Sequence, residues 1–63
     1  MTIPEAFDQL VDSEDFKAKA KTDAKYRVYL GRFKKGILGI GAMVEILVQN
    51  GYEVKANRAR KQR

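Results

Sequence analysis

The chain has 63 residues, no cysteine, no histidine and a formal net charge of +5. Without cysteine there is no disulfide framework or thiolate metal site, and without histidine the usual zinc sites and imidazole catalysis are excluded. What is left is one domain near the lower size limit for a self-sufficient core, with an ordinary 44% of hydrophobic residues to build it.

The charges fall in blocks. Residues 1–16 carry Glu5, Asp8, Asp12, Glu14 and Asp15 and no cation, whereas residues 17–35 carry eight Lys or Arg against Asp23 alone. Residues 36–54 hold only Glu45 and Glu53, and residues 55–63 add five more cations. A merely solvating surface mixes the signs; segregation of this kind points to an acidic partner, with nucleic acid the commonest. No apolar run approaches the roughly 20 residues of a membrane span, and MTIPEAFDQL is not a secretory signal, so no membrane contact and a cytoplasmic location are expected.

In chain order, Thr2-Ile3-Pro4-Glu5 has the form of a capping box with proline in the first turn, opening a short helix with Ala6, Phe7, Leu10 and Val11 on one side. Ser13 can cap a second helix, with Glu14 and Asp15 at its positive end. The alternation in FKAKAK suits a strand, but lysine and alanine are strong helix formers and poor strand formers, so a helix is expected.

Thr22-Asp23 signals a third helix from about Asp23 to Lys35, with Gly36 as its left-handed cap. On a helical projection Tyr26, Tyr29, Leu30 and Phe33 make its core face. Opposite lie Arg27, Lys34 and Lys35 with Gly31 between them; Lys25 and Arg32 flank the edge, and Val28 points outward. Gly31 costs about 1 kcal/mol relative to alanine inside a helix, so either an outside partner approaches the backbone there or a crossing helix of the same fold does.

ILGIG reads as a short turn, and IGAMVEILVQN as a fourth helix closed by Asn50-Gly51. Only Glu45 and Gln49 give this helix a polar stripe, which implies a central core helix with one edge available to a dimer interface. Tyr52-Glu53-Val54 reads as a short extended segment. KANRARKQR contains nothing to bury and is expected to be a flexible basic tail over residues 55–63, leaving one helical domain over 1–54.

The order of these elements resembles phage Cro/repressor-type helix-turn-helix regulators over roughly residues 14 to 54, most closely over 26 to 54. Leu30, Phe33 and Gly36 match the apolar positions and terminal glycine of the recognition helix. Leu47, Gly51, Tyr52 and Val54 match the helix that follows, and Ala20 a small residue in the first motif helix. Ala24 and Lys25 stand where the family usually has a turn glycine and an apolar residue. The resemblance implies an all-α, four-helix fold and a dimeric DNA-binding regulator acting in the host cell, with the third helix in the major groove.

The residues expected to meet nucleic acid, duplex DNA in the first place, are therefore Lys25, Arg27, Val28, Gly31, Arg32, Lys34 and Lys35, joined by Lys55, Arg58, Arg60, Lys61 and Arg63 from the tail. The alternative is a phage structural or adaptor protein of the virion, whose basic segments dock on an acidic protein or on packaged nucleic acid. An RNA-binding reading would use Tyr26 and Tyr29 to stack bases, but their place on the core face favours burial. An enzyme is not expected. Asp12, Glu14 and Asp15 read as helix-start charges rather than a metal cluster, and GILGIG lacks the preceding strand and following Lys-Ser/Thr of a phosphate loop, so no cofactor is implied.

Overall fold

A computed structural model describes residues 1–61. Four helices, α1 (Ile3–Val11), α2 (Glu14–Thr22), α3 (Ala24–Lys34) and α4 (Ile40–Gln49), are followed by a hairpin of β1 (Tyr52–Lys55) and β2 (Arg58–Lys61).

Local chemistry sets each helix boundary. At α1 the Glu5 N–H donates to the Thr2 hydroxyl at 3.3 Å and the Thr2 N–H donates to the Glu5 carboxylate at 2.9 Å, a reciprocal capping box. That backbone hydrogen bond from Thr2 holds the Glu5 carboxyl below its ordinary pKa. Ser13 Oγ accepts from the Phe16 N–H at 3.2 Å to start α2, and Asp23 accepts from the Lys25 N–H at 3.0 Å to start α3. Asp23 is also the last cap of α2, so a single extended residue joins the two helices. With Ala24 after it, helix resumes at once, so no turn of three or four residues separates α2 from α3.

The end of α3 is a complete Schellman motif. Gly36 sits at φ 76°, its N–H donates to Phe33 O, and the Ile37 N–H donates to Arg32 O, both at 3.0 Å.

The core lies where α1, α2 and α4 meet. Phe7, Phe16, Ile46 and Leu47 are its fully buried large side chains, and Phe7 stands edge-on to Phe16 and Phe33 at centroid distances of 6.1 and 4.8 Å. FKAKAK is helical, as its propensities require: Phe16 and Ala20, one turn apart, go inward and the lysines outward. Tyr26 is buried, while Tyr29, Leu30 and Phe33 pack partly buried against the core.

A polar network ties α2, α3 and α4 together. Lys19 Nζ donates to Asn50 Oδ1 at 2.9 Å, the Asn50 amide donates to Tyr26 Oη at 3.2 Å, and the Tyr26 hydroxyl donates to Gln49 Oε1 at 3.2 Å.

Two expectations need correction. The fold is mostly helical rather than all-α, because residues 58–61, expected to lie in an unstructured tail from Lys55 onward, form β2. β2 pairs antiparallel with β1 in the register Tyr52↔Lys61, Glu53↔Arg60, Val54↔Ala59 and Lys55↔Arg58. Ala59, the one apolar side chain of β2, is 2% exposed, and its N–H donates to Met1 O at 2.9 Å. Burial of Ala59 and backbone pairing on both sides of β2 account for the order. The second correction concerns α4, which is less fully covered than expected: Met43, Ile46 and Leu47 are buried and Ala42 and Val44 pack partly buried against the core, whereas Ile40 and Val48 are 48% and 56% exposed.

Candidate nucleic-acid interface

Burial of Tyr26 and the inward lean of Tyr29, Leu30 and Phe33 fix which way α3 faces. Arg27, Val28, Gly31, Arg32, Lys34 and Lys35 are all exposed on the remaining surface. Val28 is one of only four large hydrophobic residues exposed among the described residues, at 47%. A methyl group added at Gly31 would meet no atom within 4 Å. The glycine therefore serves no close contact inside the fold, and the crossing-helix explanation of it falls away.

The ion pairs divide the cations into two groups. Lys25 Nζ lies 2.6 Å from Glu45 Oε2 on α4 and 5.8 Å from the centre of the Tyr29 ring. The hydrogen bond to Glu45 raises the Lys25 pKa. This lysine is thus turned across the fold and is not among the outward cations. Arg60 is likewise engaged, 2.9 Å from Glu53 on the neighbouring strand. Among the described residues Arg27, Arg32, Lys34 and Lys35 have no carboxylate partner. Their guanidinium and ammonium groups stand along about two turns of helix with no acid between them.

Lys55, Arg58 and Lys61 are exposed on the hairpin, and Arg63 lies outside the described residues. The hairpin packs on α4 and α1, whereas α3 packs on α2, so the two basic groups belong to different parts of the fold. Sequence alone picks out the hairpin cations singly. The strand pleat goes further and puts Lys55, Arg58 and Arg60 on one face together with Glu53; the signal for it was the R-A-R alternation around Ala59. Lys17 and Lys21 on α2 are also exposed.

Among the described residues no group of three or more Asp or Glu side chains is placed to hold a metal ion, and no helix is long and apolar enough to cross a membrane. Comparison with protein-family models, with curated proteins and with solved structures finds no match to this chain.

Proposed function

We propose that the chain is a small nucleic-acid-binding protein that lays α3 in the major groove of duplex DNA, as the Cro/repressor-type regulators it resembles do. The observation that carries this reading is the outer face of α3: four cations with no carboxylate partner among the described residues, around an open glycine and an exposed valine. An α-helix with its side chains is about 10–12 Å across and the B-DNA major groove about 12 Å wide, so such a helix fits with its backbone close to the base edges. On this reading the four cations reach phosphates or guanine edges, and Val28 is available to a thymine methyl.

The deciding measurement is a fluorescence titration against duplex DNA, single-stranded DNA and RNA at two salt concentrations. Tighter binding to duplex, weakening steeply with salt, is expected. Equal binding to every polyanion, with no sequence preference, would instead favour the adaptor, and absence of binding would end the nucleic-acid reading.

Gly31→Leu tests the face directly. The position is open, so the substitution should stabilise the free protein by close to 1 kcal/mol through helix propensity, about 4–8 °C in Tm. The side chain would also hold a groove away from the backbone, so duplex affinity should fall. A thermal melt and a titration on one preparation check both. Higher Tm with parental affinity would mean that this face is only solvated.

A pair of copies belongs to this reading. Ile37, Ile40 and Val48 are 67%, 48% and 56% exposed and leave an uncharged strip along α4 and the loop before it. A two-fold contact sets a patch against itself, and in a chain of charge +5 an uncharged patch is the surface that can do so without repulsion. Sedimentation should show a dimer fraction that rises with concentration and disappears in Val48→Lys with the Tm unchanged. A strict monomer throughout would restrict binding to single sites.

A further inference from the structure

The tip of the hairpin is built against its own stability. Lys55 and Arg58 are direct cross-strand partners on the exposed face, and like charges at such positions, with Cβ atoms about 4.5–5.5 Å apart, repel. The two-residue turn between them places Ala56 at φ 53° and Asn57 at φ 65°. Asparagine tolerates that left-handed region, but alanine is sterically disfavoured there, and the usual residue pairs in such turns are Asn-Gly or Asp-Gly. Glu53, on the same face, is already held by Arg60 one step along, and the Glu5 carboxylate, whose charge is felt by Arg58, is engaged by the Thr2 N–H.

An open cleft of about 310 Å³ lies on this surface, lined by Met1, Glu53, Lys55, Arg58, Ala59 and Arg60. Its lining has three cationic side chains and one carboxylate, which pairs with Arg60, so Lys55 and Arg58 have no salt-bridge partner among the described residues. A bound anion with several oxygens would meet both the Lys55 ammonium and the Arg58 guanidinium fork, and would turn their repulsion into a shared attraction.

From these observations we infer that the hairpin cleft is a phosphate-binding site, with Lys55 and Arg58 as its two arms, and that it takes a backbone phosphate of the nucleic acid separately from α3. The strained tip is then a feature whose cost the ligand offsets, consistent with the tendency of backbone strain to gather at binding sites. The inference rests on the nucleic-acid reading for the source of the phosphate but not for the site itself.

The test uses the full chain and Lys55→Gln/Arg58→Gln, with Lys55→Arg/Arg58→Lys as a control that keeps both charges. Melting is followed in sodium phosphate and in sodium chloride at matched ionic strength. Phosphate should raise the Tm of the parent and of the charge-keeping control by several degrees more than chloride, and should not do so for the Gln pair. Duplex affinity of the Gln pair should fall about tenfold or more. Its slope of log affinity against log salt should be shallower by roughly 0.9 for each phosphate that is no longer neutralised.

Equal stabilisation of all three proteins by phosphate would be the general effect of an excluded salt and would overturn the site. Parental duplex affinity in the Gln pair while an α3 variant fails to bind would overturn the assignment of a nucleic-acid phosphate to the cleft and leave the α3 reading standing. Selective stabilisation by phosphate without duplex binding by any protein would keep the site, assign it to free phosphate compounds and reject the nucleic-acid source.

Discussion

Leu47→Ala is expected to remove roughly half or more of the chain's stability at 25 °C. The side chain is 0% exposed and sits with Phe7, Phe16 and Ile46 at the centre of the core. Truncating a buried leucine costs about 2–5 kcal/mol, the forfeited transfer energy plus the cavity that remains. At about 0.05–0.15 kcal/mol per residue, a chain of 63 residues has only about 3–9 kcal/mol in total. With no cysteine in the chain, no disulfide holds the fold together after that loss. Urea denaturation followed by circular dichroism measures the effect; near-parental helicity and midpoint would show that the core is centred elsewhere.

The second large effect is on binding. Replacing Arg27, Arg32, Lys34 and Lys35 together by alanine should lower duplex affinity by about three orders of magnitude near 0.1 M salt. It should also make the salt slope shallower by roughly 3.6, since each neutralised phosphate contributes about 0.9. The fold should survive, because all four side chains are exposed and none pairs with an acid among the described residues. Lys25→Ala is the matched contrast: its ammonium is held by Glu45, so affinity should change little. Equal reductions from Lys25 and from the other four would mean that total charge, rather than the outer face of α3, governs binding. Anisotropy titrations at several salt concentrations distinguish these outcomes.

What could be read from the sequence was what local chemistry determines. Thr2, Ser13 and Asp23 cap the helices they were expected to cap, and Gly36 and Gly51 take positive φ where α3 and α4 end. The core and solvent faces of α3 follow from spacing alone, because Tyr26, Tyr29, Leu30 and Phe33 recur on one side of the helix. The hairpin was not readable in the same way. Its turn is Ala56-Asn57 in place of a glycine-bearing pair, and β2 offers Ala59 as its only apolar residue. Its outer edge is completed by Met1 and Thr2, which are distant in sequence. The pairing of Lys25 with Glu45 and of Lys19 with Asn50 likewise depends on how the helices come together, which no local pattern encodes.

The seam between Met1–Thr2 and Arg58–Ala59 also bears on the order in which the chain assembles. During synthesis Met1 and Thr2 are made well before their partners Arg58 and Ala59, which lie far along the sequence. The helices, whose contacts are mostly near in sequence, can form while the seam must wait for residues 58–59 and for closure of the long loop that separates them from residues 1–2. The seam is therefore a late latch on an already helical body. In the folded protein it makes these two segments a single unit of local opening, in which loosening of one exposes the other.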